Sequence, residues 1–156
     1  MTPPRTRCLI LACGNTVRGD DGVGLWLAAW AEERFRGDAG VRVIARQQWT
    51  PELAEEIAGS ESVLFVDSSL ESAPGRIQVI PVAPELQRLG LATHHLSAAA
   101  LLGLTQELFE FVPRSAVLLT VGAGSTELHE GLSDVVKAAL SEACAEIEKI
   151  VAEKSS

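Results

Sequence analysis

No apolar run in this sequence approaches the roughly 18–20 residues that a bilayer-spanning helix requires. Yet 47% of its 156 residues are hydrophobic, so the apolar residues are dispersed for a core rather than massed for a membrane. The basic start, Met1 to Arg7, precedes only a short apolar stretch. That stretch runs into Gly14-Asn15-Thr16 rather than a small-residue cleavage site, which argues against a secretory signal and for a soluble cytoplasmic protein. Cysteine is scarce: Cys8, Cys13 and Cys144 have no metal-ligand spacing and leave one thiol over in any disulfide scheme. Reduced thiols in a reducing compartment follow. Cys8 and Cys144 read as small core residues, whereas Cys13 borders an acidic loop and its role stays open. A basic stripe is also missing. With a net charge of −8 and scattered Lys and Arg, the chain does not offer the clustered cations that displace counterions from a nucleic acid.

The length suits one domain, residues 1–156, with a core over roughly 7–152. Residues 7–13 are apolar almost throughout, as in a strand covered on both faces. Over 22–36, Val23, Leu27, Trp30 and Ala31 recur at helical spacing, and Gly37 and Gly40 punctuate the end. Residues 41–44 predict a second strand. Thr50-Pro51-Glu52 predicts a short helix with Thr50 as cap and Pro51 in the first position. A third buried strand spans Ser62 to Asp67, and Pro74-Gly75 is a turn into a fourth over 76–82. The short link between these two predicts that the fourth runs antiparallel. A helix over 96–111 places Leu101, Leu104, Leu108 and Phe111 on one face, and a fifth strand covers 116–121. Ser133 caps a last helix whose stripe is Val136, Leu140, Ala143, Ile147 and Ile150. The expected fold is an α/β three-layer sandwich: a twisted, five-stranded, mainly parallel sheet with helices on both faces.

In such sheets, sites form beyond the carboxyl ends of the strands. Asp20 and Asp21 follow the first strand, Asp67 ends the third, and Thr93-His94-His95 precedes the long helix after the fourth. If strands one and three are neighbours, these groups converge. Asp20 is the natural helix cap, which leaves Asp21 as the carboxylate for chemistry. Asp67 alone could serve the amides of Ser68 and Ser69 in a turn, and either histidine alone could be a solvated residue at a helix start. His129, in a polar loop, reads as solvated. Together, two carboxylates and an imidazole form an O, O, N set suited to a borderline divalent ion such as zinc or nickel, with open positions left.

Other chemistries lack their parts. Gly14-Asn15-Thr16-Val17-Arg18-Gly19 is neither G-x-G-x-x-G nor a Walker loop, and its aspartates would face the phosphates of a nucleotide. A receiver-like phosphoacceptor domain shares an acidic pair after strand one and an Asp ending strand three. It needs a Lys after the fifth strand, where this chain has Thr120 to Ser125. No Ser-His-Asp or Cys-His arrangement and no H-E-x-x-H motif is present.

Gly14 to Gly24, GNTVRGDDGVG, resembles the G-N-x-x-x-x-D-[DE]-x-x-G signature of the [NiFe]-hydrogenase maturation endopeptidases. Val63-Leu64-Phe65-Val66-Asp67, Thr93-His94-His95-Leu96-Ser97 and the stretch from Gly122 to Ser133 follow the family in order and spacing, over roughly residues 7–150. The resemblance implies an endopeptidase that removes a C-terminal extension from the precursor of a nickel–iron hydrogenase large subunit once nickel is installed. It carries the family's metal contacts onto Asp21, Asp67 and His94, with His95 as the alternative to His94. The nickel would arrive with the substrate, zinc or cadmium could act as surrogates, and a monomer or weak dimer is expected. A hydrogenase-assembly chaperone without catalytic activity is the remaining alternative. In place of the Asp-Gly-Gly-Thr segment of some members stands Arg46-Gln47-Gln48-Trp49-Thr50-Pro51-Glu52-Leu53, a form other members share. Gln47 and Gln48 are candidates to line the cleft.

Overall fold

A computed structural model describes residues 5–85 and 96–154. The strands are β1 (Cys8–Cys13), β2 (Val41–Arg46), β3 (Ser62–Ser69), β4 (Ile77–Pro81) and β5 (Ser115–Gly122). The helices are α1 (Val23–Arg34), α2 (Leu53–Ala58), α3 (Ala98–Phe109) and α4 (Asp134–Glu153). The sheet order is β2-β1-β3-β5-β4, and every pairing is parallel except β4 with β5. The α/β sandwich and the reversed fourth strand therefore stand as read from the sequence, and the condition set there, that strands one and three be neighbours, is met. β4 reverses because a turn at Pro74-Gly75, with Gly75 at φ 79°, returns the chain before a crossover helix could form.

The near-continuous apolar run of β1 has a direct cause. Cys8, Ile10 and Ala12 face one core with Val23, Leu27 and Ala31 of α1 and Val136, Ala143 and Ile147 of α4. Leu9, Leu11 and Cys13 face the other, with Leu53 and Ile57 of α2 and Leu101 and Leu102 of α3. Both faces of the strand are thus removed from water. Each fully buried Leu, Ile or Phe, Phe65 among them, stabilises the fold by about 1.5–3 kcal/mol relative to an exposed side chain.

Several boundaries differ from the sequence reading. β3 continues to Ser69, so Asp67 is not its last residue; it still pairs with Thr120 of β5, which extends the ladder. α2 begins at Leu53, with Glu52 at the N-cap position and no capping side chain. The carbonyls of Thr50 and Pro51 instead accept the N–H groups of Leu53 and Ala54, so a backbone turn performs the entry expected of a Thr50 cap. α3 ends at Phe109 with Glu110 left-handed at φ 51°, and Leu108 is 61% exposed. Its buried residues include Ala98, Leu101, Leu102 and Thr105, so the face turned to the core is rotated toward Leu102 and away from Leu108. Phe111 lies beyond the helix, under the Arg5 guanidinium at 4.4 Å.

Candidate functional site

The loop after β1 is built from its glycines and its two acids. Gly24, in the first turn of α1, lies so close to the carbonyl oxygens of Cys13 and Val66 that a Cβ would collide with the Cys13 oxygen. The helix thereby seats directly on the ends of β1 and β3. Residues Gly19–Gly22 form a 3-10 turn, and Gly19 takes φ 56°, which favours glycine. Asn15 braces the loop: its Oδ1 accepts the Val17 N–H at 3.1 Å.

Asp20 and Asp21 point to different tasks. Asp20 is 0% exposed and does not cap α1, whose N-cap position is Gly22. Its Oδ2 accepts the N–H of Gly124 (2.7 Å), the N–H of Ser125 (2.9 Å) and the Ser133 hydroxyl (2.7 Å). Its Oδ1 accepts the Ser133 N–H at 2.6 Å. Ser133 holds the N-cap position of α4, but its hydroxyl is given to Asp20 rather than to a helix amide. Burial alone would raise the Asp20 pKa, but the hydrogen bonds from Ser133, Ser125 and Gly124 outweigh it and hold the carboxyl below its usual range. Asp20 ties the β1–α1 loop to the β5–α4 loop. Backbone bonds from Gly19 to His129 and from Asp20 to Ser125 close the same seam. The His129 side chain is exposed, as expected.

Asp21 faces the other way. Its Oδ2 accepts the Asn15 N–H at 3.0 Å, and its Oδ1 accepts the Ser68 hydroxyl at 2.8 Å. Asp67 accepts the Ser68 N–H at 2.7 Å, so one of the two turn contacts anticipated for it is present. Asp21 and Asp67 line one cleft of about 440 Å³, with Cys13, Gln47, Trp49 and Ser97 among the other walls. No Lys or Arg is among the described residues lining it. The structure thus brings together two members of the expected trio at the carboxyl ends of β1 and β3. Thr93, His94 and His95 lie outside the described residues. Among the described residues, no group of three His, Cys, Asp or Glu side chains is placed to hold a metal ion. Asp21 and Asp67 both present carboxylate oxygens to this cleft, a donor type that hard and borderline divalent ions take.

Cys13 is resolved by its surroundings. It is 8% exposed, and burial, followed by the charge and hydrogen bonding of Asp67 and the charge of Asp21, pushes the thiol pKa up. Both effects disfavour the thiolate form that a nucleophile requires. Alternation along β1 was the signal for its place: Leu9, Leu11 and Cys13 share a face. Gln47 lines the cleft as anticipated, while Trp49 had not been singled out. The Trp49 ring meets Phe65 edge-on at 5.1 Å. Among the described residues, Gln48 Oε1 and Trp49 Nε1 are buried without a hydrogen-bond partner.

The fold and cleft define a class: a single sheet-centred α/β protein with an acidic hollow where β1 and β3 end. No family model matches the sequence. The chain is 26% identical over 145 residues to the hydrogenase 2 maturation protease of Escherichia coli K12, covering 90% of this chain and 88% of that one. Among solved structures, the hydrogenase maturating endopeptidase HybD from E. coli superposes with a TM-score of 0.79 at 22% identity, over 94% of this chain and 93% of that one. The [NiFe] hydrogenase maturation protease HycI from Thermococcus kodakarensis KOD1 gives 0.67 at 28% identity, over 94% and 92%. The resemblance to the [NiFe]-hydrogenase maturation endopeptidases therefore holds in sequence and in fold.

Proposed function

We propose that this chain is an endopeptidase that removes the C-terminal extension of a nickel–iron hydrogenase large-subunit precursor after nickel insertion. In this reading Asp21, Asp67 and His94 receive the nickel seated in the substrate. The observation that carries it is the pair Asp21 and Asp67 fronting one cleft without a Lys or Arg in its described wall, in a fold shared with hydrogenase maturation proteases. A cation already held by the precursor would relieve the repulsion between two carboxylates, so docking favours the nickel-loaded form and disfavours the empty one. That difference makes cleavage a checkpoint for metal loading. When bound, nickel can polarise a peptide carbonyl; a carboxylate that is not engaged by the metal can accept a proton from the attacking water. The free thiols Cys8, Cys13 and Cys144 suit a reducing compartment, and the cytoplasm is the proposed location. Among the described residues no helix is long and apolar enough to cross a membrane.

The test is a mass measurement on the precursor, reading loss of its C-terminal extension after incubation in the nickel-loaded and the nickel-free form. The expected result is clipping of the loaded form only, abolished by Asp21→Ala, Asp67→Ala and His94→Ala in folded protein. Activity lost in His95→Ala but kept in His94→Ala moves the third ligand to His95. Binding with no mass change under any condition identifies an assembly chaperone and removes the protease reading.

A further inference from the structure

One residue touches both carboxylates of the cleft. Ser68 donates its backbone N–H to Asp67 at 2.7 Å and its hydroxyl to Asp21 at 2.8 Å. An ionised carboxylate only accepts, so the direction of the hydroxyl bond is fixed: Ser68 Oγ is the donor. Asp67 and Ser68 are consecutive in β3 and both pair with β5, which makes this stretch of backbone part of the ladder rather than a loose turn. Asp21, by contrast, belongs to the 3-10 turn after β1. The Ser68 hydroxyl is therefore a link between an acid fixed to the sheet and an acid carried by a loop.

We propose that Ser68 is a positioning residue that holds Asp21 at a set distance from Asp67 and so keeps the cleft ready for a divalent cation. The proposal rests on the reading of these two acids as cation ligands. Without a cation, like charges drive the two carboxylates apart, and Asp21 is the one free to yield. The Ser68 donor opposes that movement, while the Asn15 N–H orients the other oxygen of the same carboxylate. One bond on each oxygen still leaves a further lone pair on each for a cation. Losing the hydroxyl would leave the loop to be ordered only when the cation arrives, which weakens capture and slows the reaction.

Ser68→Ala removes the link to Asp21 and keeps the backbone bond to Asp67. Ser68→Thr keeps a hydroxyl and suits a strand. Two measurements are made on the full chain: calorimetric titration with cadmium ion alone, and kcat and KM for clipping of nickel-loaded precursor. Loss of such a supporting donor typically weakens metal affinity or activity by about 10-fold or more, and that is the expected size for Ser68→Ala in both measurements. Ser68→Thr should restore both to within about 3-fold, the residue of an imperfectly placed hydroxyl. Both variants should remain folded, with thermal midpoints lowered by no more than about 4 °C, the size of one lost hydrogen bond. A side chain that only fills space gives the reverse order, with alanine tolerated and threonine the worse. That order, or an alanine variant equal to the parent in both measurements, overturns the proposal. If the parent itself neither binds cadmium nor clips, the reading of the acids as ligands fails and takes this inference with it. If the parent does both and only the Ser68 series fails, the inference alone falls.

Discussion

Replacing Asp20 tests whether two neighbouring acids in one loop have separate roles. Four donors converge on the buried Asp20 carboxylate, three on Oδ2 and one on Oδ1. Asp20→Ala strands all of them, and deleting a buried, multiply bonded charge of this kind costs about 3–5 kcal/mol. Asp20→Asn keeps the shape but supplies one carbonyl oxygen. If that oxygen takes the Oδ2 position, the amide NH₂ meets the Ser133 N–H, donor against donor. The loss of charge assistance and one unmade bond together cost about 2–3 kcal/mol. Asp21→Ala removes bonds from Asn15 and Ser68 at a half-buried carboxylate and costs about 1 kcal/mol. Urea unfolding at neutral pH reads these values as midpoint shifts at constant slope. The sign with pH follows from the depressed Asp20 pKa. Its contribution is complete above the ordinary aspartate value of 3.8 and declines as pH falls through the lower folded value. The gap between the parent and Asp20→Asn must therefore narrow in acid. An Asp20→Ala cost below about 1 kcal/mol, or a gap that widens in acid, refutes the reasoning. Equal costs for Asp20→Ala and Asp21→Ala would refute the division of roles.

Gly24→Ala places a methyl against the carbonyl oxygens of Cys13 and Val66, so α1 must lift from the sheet. The expected cost is about 1–3 kcal/mol in denaturant unfolding, with weakened chemistry because the loop is displaced as well. Trp49→Phe deletes an indole N–H that is buried without a partner among the described residues, while leaving a ring to meet Phe65. The volume lost and the orphaned donor removed offset each other, so stability should change by less than about 1 kcal/mol on the same assay.

How much of this was legible in sequence depended on range. Local periodicity was enough for β1, whose Cys8–Cys13 run has to be covered on both faces, and for α4, whose stripe from Val136 to Ile150 meets the sheet. Chain economy was enough for the reversal of β4. The Asp20 assignment failed because its partners, Gly124, Ser125 and Ser133, are more than a hundred residues away and expose only amides and a hydroxyl. No side-chain pattern advertises a backbone donor, so the nearest helix start looked like its natural partner. Ser133 misled in the complementary way: its position at the start of α4 was right, and its hydroxyl was already committed.

The acidic pair also shows why two adjacent carboxylates are compatible in one glycine-rich turn. A 3-10 turn rotates successive side chains by about 120°. Asp20 therefore turns inward, toward amides of the last loop, while Asp21 turns toward the cleft. The inward charge is neutralised by hydrogen bonds and fixes the turn; the outward charge is held in place and not neutralised by any Lys or Arg among the described lining residues. A single acid could not do both, because the bonds that would bury it would also consume the lone pairs that a cation needs. The stability cost of Asp20→Asn and the loss of clipping in Asp21→Ala should accordingly be separable, each variant severe in one measurement and mild in the other. Should Asp21→Ala instead unfold the protein as Asp20→Ala does, the cleft carboxylate would be a structural element, and the turn would have no charge to spare for a substrate.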